Sequence, residues 1–264
     1  MVAAEAIAHY VQAMILNSTQ HEPVWFGDRP VDPSEKTGLV RGVFDRVAGR
    51  YDLMNDLMSA GVHRAWKARF IRDLGPRPHE ALLDVAAGTG DIAAGWRKAG
   101  GGPALLCDIN ETMLSQGRDR AIDNGRISGM SWAVGNAEQL PFPDRSFDAY
   151  TIAFGLRNVT DIDAALREAR RVLKPGGRFF CLEFSHLAAA PLQKLYDFYS
   201  NAVIPRLGAI VAQDRESYVY LVESIRRFPN QEALIGRMEQ AGFTFSAYRN
   251  LSAGIAAIHR ARRI

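Results

Sequence analysis

ALLDVAAGTGDIAAGWRKAGGGPALLCDI, residues 81–109, is the stretch that decides the fold. A short apolar run (81–86) ends at Gly88-Thr89-Gly90, helical spacing follows over 91–99, and a second apolar run occupies 103–109. Strand, glycine turn, helix and strand in that order form the βαβ unit of a parallel sheet. The rhythm continues outward. ETMLSQGRDRAID (111–123) has helical spacing, SWAVGN (131–136) and FDAYTIAF (147–154) read as strands, and DIDAALREARRVL (161–173) is an amphipathic helix. Asp161 is its expected N-cap, and Lys174-Pro175-Gly176-Gly177 stops it before a strand over 177–185. Helix 231–243 and the pair FTFSAYRNL (243–251) and GIAAIHRAR (254–262) close the chain. The pattern predicts a doubly wound α/β fold, its mainly parallel sheet covered by helices on both faces.

The glycine turn has three readings on its own residues. Glycines there let backbone approach a ligand, and Asp84 at the strand end accepts hydrogen bonds from an amine or hydroxyl. Asp108, ending the next strand, is placed to accept both ribose hydroxyls of an adenine nucleoside. Gly88-Thr89-Gly90-Asp91-Ile92-Ala93 also fits the loose dinucleotide pattern G-x-G-x-x-G/A. A turn without any ligand is the third reading. Asp84 ahead of the loop favours a methyltransferase-type nucleoside site over the dinucleotide one.

Bulk properties narrow the class. With 264 residues, 47% hydrophobic and 23% charged, the chain is an ordinary globular one. Its net charge of +3 is small and its Lys and Arg are scattered, which speaks against nucleic acid as a partner. Cys107 and Cys181 lie in apolar strands and are expected as buried free thiols. The six histidines show no metal-ligand spacing, so no metal site is expected. No apolar run reaches 18 residues, and the first residues lack the basic n-region of a secretory signal. The expected organisation is an N-terminal extension (1–24) before one domain (25–264), with a leading helical segment over 37–73 and an apolar insertion over 186–228.

Further motifs make the reading specific. Asn136-Ala137-Glu138-Gln139-Leu140-Pro141-Phe142-Pro143-Asp144-Arg145-Ser146-Phe147-Asp148 resembles the segment that follows the third strand of class I S-adenosylmethionine methyltransferases, and Leu173-Lys174-Pro175-Gly176-Gly177 resembles their turn before the fifth. Gly42-Val43-Phe44-Asp45-Arg46-Val47-Ala48, continuing through Arg50-Tyr51-Asp52-Leu53-Met54-Asn55-Asp56, is one of three more distinctive blocks. The others are Thr151-Ile152-Ala153-Phe154-Gly155-Leu156-Arg157-Asn158-Val159 and Asn250-Leu251-Ser252-Ala253-Gly254-Ile255. Together they resemble the ubiquinone/menaquinone biosynthesis C-methyltransferase family over about residues 25–262.

The resemblance implies a seven-stranded Rossmann-like sheet with an antiparallel last strand, and S-adenosyl-L-methionine as cofactor. It implies cofactor contacts at Asp84, Gly88, Thr89 and Gly90, at Asp108, Ile109 and Met113, at Asn136 and Ala137, and at Ala153. Many members carry Ser at the last position, so this chain lacks one hydroxyl there. The implied acceptor is the quinol ring of a polyprenyl benzoquinol or demethylmenaquinol. A ring carbon becomes nucleophilic when a neighbouring hydroxyl, of pKa about 10, loses its proton, so the site needs a base or a positive field. Arg157, Asn158 and Tyr51 are the implied catalytic residues. A guanidinium stays charged at ordinary pH, so Arg157 would stabilise a phenolate or position a water, while Asn158 orients the hydroxyl. A surface salt-bridge role for Arg157, a packing role for Tyr51, and His63 as base or as packed residue stay open.

The insertion reads either as helices packed on the sheet edge or at a dimer face, or as a lid with a channel for the prenyl tail that touches the membrane. A cytoplasmic enzyme, peripheral at the inner face of the membrane, working as a homodimer or within a quinone-making complex, is the corresponding expectation. Three rivals remain: an O- or N-methyltransferase of the same fold, a nicotinamide-dependent oxidoreductase, and a non-catalytic scaffold.

Overall fold

The computed structural model describes residues 24–47, 56, 59, 61–187 and 215–264. A hairpin of β1 (Val24–Phe26) and β2 (Arg29–Val31) leads into α1 (Pro33–Val47) and α2 (His63–Leu74). The alternating body runs β3 (Leu82–Val85), α3 (Asp91–Lys98), β4 (Ala104–Asp108), α4 (Glu111–Asp123), β5 (Met130–Val134), β6 (Phe147–Ala153), α5 (Ile162–Val172) and β7 (Leu173–Phe184). Then come α6 (Arg215–Arg227), α7 (Gln231–Gln240), β8 (Thr244–Leu251) and β9 (Ala256–Arg262).

Seven strands form one sheet in the order β5-β4-β3-β6-β7-β9-β8. Pairs from β5 to β7 are parallel, and β9 alone runs against its neighbours β7 and β8. The expected α/β class, with an antiparallel last strand, is the fold observed. Adjacent residues of β3 point to opposite faces. Leu82 joins Trp66, Phe70 and Leu74 of α2 and Trp96 of α3, whereas Leu83 and Val85 join Leu166 and Val172 of α5 and Leu234 and Met238 of α7. Each such side chain, fully buried, contributes about 1.5–3 kcal/mol. The order reverses at β3, which pairs with β4 on one side and β6 on the other. Ligand crevices in open α/β sheets lie beyond the carboxyl ends of strands at such a reversal.

Helix starts follow their caps. Asp161 accepts from the Ala164 amide at 2.9 Å, and Asn230 from the Ala233 amide at 2.9 Å. Cys107 and Cys181 are buried free thiols. Burial pushes the Cys107 thiol up to about 12, which makes it unreactive.

Three boundaries differ from the sequence expectation. Val24, assigned there to the N-terminal extension, begins the hairpin, whose Gly27 takes a φ of +60°. The first helix begins at Pro33 rather than 37, because Asp32 accepts from the Ser34 amide at 2.8 Å and proline suits the first helical position. β7 begins at Leu173, which leaves α5 to pair with Phe147 before the Lys-Pro-Gly-Gly irregularity. The expected extension over 1–23 and most of the 186–228 insertion lie outside the described residues. What is described of the insertion carries α6, clasped by the hairpin. Glu223 accepts from the Asp28 amide at 3.0 Å, Arg227 lies 3.7 Å over the Trp25 ring, and Phe26 stacks on Tyr220 at 4.2 Å. Among the described residues, no helix is long and apolar enough to cross a membrane.

Candidate active site

A cleft of about 760 Å³, measured out to its mouth, opens beyond the carboxyl ends of β3, β4, β5 and β6. Its floor includes Ala86 and Gly88 after β3 and Asp108, Ile109 and Met113 after β4. Asn136 and Ala137 follow β5, and Asn158 follows β6. Thr37, Val40, Arg41 and Phe44 of α1 close it from above. α1 is tied to the cleft's rim: Asn110 donates to Asp45 at 2.8 Å, and Arg41 donates to the Ile109 carbonyl at 3.2 Å. The same Asn110 caps α4, accepting from the Met113 amide at 3.0 Å.

A smaller cavity adjoins the cleft, lined by Asp84, Thr89, Asp91, Lys67 and Ala153 among others. Ala86 and Phe154 line both spaces. Each has a positive φ, 50° and 56°, uncommon for residues with side chains. Gly155 lets these two strand ends meet, since a Cβ on it would lie 2.3 Å from that of Ala86.

Asp108 accepts from the Gly88 amide at 2.7 Å and from the Asn110 amide at 2.8 Å. Burial raises its pKa, and these amides pull against the rise. Asp84 is 1% exposed and accepts from the Thr151 hydroxyl at 2.7 Å through Oδ1, while its Oδ2 has no hydrogen-bond partner. Burial pushes its carboxyl up to about 7; Thr151 and the nearby Ala93 amide oppose the shift. An unsatisfied buried carboxylate oxygen beside a cavity is costly unless something fills the cavity and donates to it.

The expected residues divide between the two spaces. Gly88, Asp108, Ile109, Met113, Asn136, Ala137 and Asn158 border the cleft, and Asp84, Thr89 and Ala153 border the smaller cavity. Gly90 borders neither: with a φ of +86° it starts α3 against Leu106, leaving no room for a Cβ. Tyr51 lies outside the described residues. Arg157 turns away from the cleft. Its Nη1 donates to Glu183 at 2.7 Å and to the Phe154 carbonyl at 2.7 Å, and its amide donates to the second Glu183 oxygen at 3.3 Å. This pair is buried, with side-chain exposures of 2% and 0%, not the surface salt bridge weighed as the alternative. Asn158 accepts from the Tyr220 hydroxyl at 3.0 Å. His63 is buried 3.0 Å from the Ser59 hydroxyl and lines neither space.

The sequence model of the ubiE/COQ5 methyltransferase family matches residues 32–263. The chain belongs to this family. Ubiquinone/menaquinone biosynthesis C-methyltransferase UbiE of Acidiphilium cryptum (strain JF-5) is 60% identical over 246 residues, covering 93% of this chain and 99% of that protein. The protein of the same name from Caulobacter vibrioides (strain NA1000 / CB15N) is 53% identical over 245 residues, covering 89% and 96%. Among solved structures, a SAM-dependent methyltransferase, possible histamine N-methyltransferase, from Thermotoga maritima aligns with a TM-score of 0.60 at 19% identity, covering 85% of this chain and all of that one. Haemonchus contortus phosphoethanolamine N-methyltransferase 2 in complex with S-adenosyl-L-methionine aligns at 0.56 and 16%, covering 75% and 52%. At these identities the two structures speak to the fold.

Four residues of this family member escaped the sequence reading. Glu183 had a visible signal, a lone charge inside the apolar run Phe179–Phe184, which asks for a buried partner. Tyr220 and Lys67 had none, since helical spacing gives a face but not what it meets. Lys36, which donates to the Val159 carbonyl at 2.7 Å and is lowered in pKa by burial, had none either.

Proposed function

We infer that this family member is an S-adenosylmethionine-dependent C-methyltransferase acting on the quinol ring of a polyprenyl benzoquinol, a demethylmenaquinol, or both. The observation that carries the reading is one cleft with a nucleoside-type acid, Asp108, and the Asn136-Ala137 pair on one side and Asn158 on the other. The names borne by relatives 53–60% identical over most of the chain support the acceptor class.

The residues present fit the cofactor. Asp84 Oδ2 lacks a donor that an ammonium would supply, and Gly88, with a φ of +54°, borders the cleft with backbone alone. When bound, S-adenosylmethionine supplies an electrophilic methyl on its sulfonium. Asp108 would accept from ribose hydroxyls, Asn136 and the Ala137 amide would meet the adenine edge, and Ile109 and Met113 would cover its face. Thr89 and the backbone at Ala153 would border the tail.

Toward the acceptor, the protein must orient the ring and favour its ionised hydroxyl. Asn158 would hold that hydroxyl. Arg157, by donating to the Phe154 carbonyl and pairing with Glu183, would hold the turn that carries Asn158. Tyr51 is proposed to close over the ring. Residues 25–264 would form the single methyltransferase domain, and the apolar 186–228 segment a lid over the prenyl tail. We place the enzyme at the cytoplasmic membrane surface where that tail resides, as a homodimer or in a quinone-making complex.

The test is mass spectrometry of purified protein given methyl-deuterated S-adenosylmethionine and short-tailed demethylated quinols, benzo and naphtho types in parallel and kept reduced. Label on a ring carbon is expected, and the ratio between the two types assigns the preferred ring. Cofactor binding with no label in either quinol would reject the acceptor class and favour an O- or N-methyltransferase.

A further inference from the structure

The smaller cavity has a charge pattern that the roles above leave unexplained. Among the described residues, its lining includes two carboxylates, Asp84 and Asp91, and one ammonium, Lys67. Lys67 comes from α2, outside the glycine loop and every strand end. Its Nζ lies 2.6 Å from Asp91 Oδ2, and the lysine side chain is only 16% exposed. The Lys67 charge also reaches His63, whose pKa is lowered first by burial and then by Lys67.

Two independent features point to a ligand carrying both signs. Asp84 is almost fully buried with one oxygen unpartnered, so it faces the cavity as an acceptor that water-exposed groups do not satisfy. Lys67 lines the same cavity, beside Asp91 in the first turn of α3, where helix N–H groups favour an anion. Asp91 occupies that turn and keeps the ammonium charged and in place: its own pKa is lowered, with Lys67 the principal opponent of the burial that would raise it. An amino-acid tail fits such a wall, its ammonium on Asp84 and its carboxylate on Lys67. A neutral tail, or one with an ammonium alone, would offer the Lys67 ammonium no carboxylate beyond that of Asp91. Ala86 and Phe154 line both the cavity and the cleft, so the two spaces are neighbours at the carboxyl ends of β3 and β6.

Resting on the cofactor reading above, we propose that Lys67 binds the α-carboxylate of the cofactor's methionine tail, with Asp91 holding the lysine in position. The protein thereby reads the tail as a zwitterion and discriminates against nucleosides that lack the carboxylate.

Isothermal titration of the full chain with S-adenosylmethionine and with decarboxylated S-adenosylmethionine tests this. The two ligands share adenosine, sulfonium and ammonium. Lys67→Met should weaken the carboxylated ligand about 10- to 100-fold and the decarboxylated one less than about 3-fold, the range for losing a hydrogen bond between charged groups. The unmodified protein should prefer the carboxylated ligand by a similar factor, which needs no variant to fold. Lys67→Arg should keep most of that preference. Equal losses on both ligands in Lys67→Met, or equal affinities in the unmodified protein, would overturn the proposal while leaving the cofactor reading intact. Binding of neither ligand by the unmodified protein would overturn the cofactor reading and this proposal with it.

Discussion

The two sides of the cleft are built differently. On the β3–β5 side several polar contacts are short in sequence: Asn136 accepts from the Glu138 amide two residues on, Asn110 caps its own helix, and Asp108 accepts from the Asn110 amide, while Asn110 also reaches Asp45 and Asp84 reaches Thr151 across more than 60 residues. On the β6 side the contacts are long-range. Arg157 meets Glu183 across 26 residues, Asn158 meets Tyr220 across 62, and Tyr220 rests on Phe26 of the N-terminal hairpin. The proposed cofactor side leans more on short motifs. The proposed acceptor side draws on elements that come together only when the chain has folded.

The comparison breaks most visibly at Glu183. Its carboxyl is pushed up by burial, and Arg157 opposes that rise. Glu183→Leu leaves the Arg157 guanidinium buried and unpaired, which should cost about 3–5 kcal/mol in urea unfolding. Arg157→Met with Glu183→Leu should recover most of that stability while methyl transfer stays lost, and S-adenosylhomocysteine should still bind the folded double variant. A single-variant cost under about 1 kcal/mol would mean that solvent reaches the pair and that this side is no more interdependent than the other.

Asp84 sharpens the comparison from the cofactor side through pH. Its folded pKa, about 7, lies above the ordinary 3.8, so its protonated form favours the folded state. That contribution is complete at low pH and is lost as pH rises from about 4 through 7. Relative to Asp84→Asn, the free protein should therefore lose about 3 kcal/mol of stability over that interval. Cofactor affinity should run the opposite way, rising with pH through 7 as the carboxylate that accepts an ammonium forms. Parallel slopes for the protein and the Asp84→Asn variant would show that Asp84 is ionised throughout and already satisfied.

Legibility in the sequence follows the same division. The βαβ alternation, the glycine turn after β3 and the Asp161 cap were readable because each depends on hydrophobic period or on a turn within a few residues, whereas the antiparallel last strand and most of the residues bordering the cleft came from the family resemblance. Arg157 and Asn158 were readable as neighbours at the end of β6, but not as side chains going separate ways, since that depends on Glu183 one strand over. The hairpin was missed although Gly27-Asp28 between two β-prone runs is a turn signal, because runs of three residues carry too little period to count. Lys67 was unreadable for another reason: in GVHRAWKARF it is one of several basic residues on a helix, and only the packing of α2 against α3 selects it.

The smallest change bears most directly on the acceptor side. Tyr220 is buried, its phenol raised well above its ordinary pKa chiefly by burial, so it remains a donor to Asn158 Oδ1 at any working pH. With Asn158 Oδ1 accepting from Tyr220, the Asn158 amide group is the donor proposed to meet a ring oxygen. Tyr220→Phe keeps the ring stacked on Phe26 and removes only the hydroxyl. One neutral hydrogen bond contributes about 0.5–1.5 kcal/mol, so kcat should fall roughly 3- to 10-fold. S-adenosylhomocysteine affinity should not move, because every group on the β3–β5 side keeps its own partners. An unchanged kcat would mean that Asn158 is oriented by its own turn and that the acceptor side is as local as the cofactor side. A fall in cofactor affinity alongside kcat would mean that α6 braces the whole cleft, and the division between the two sides would not hold.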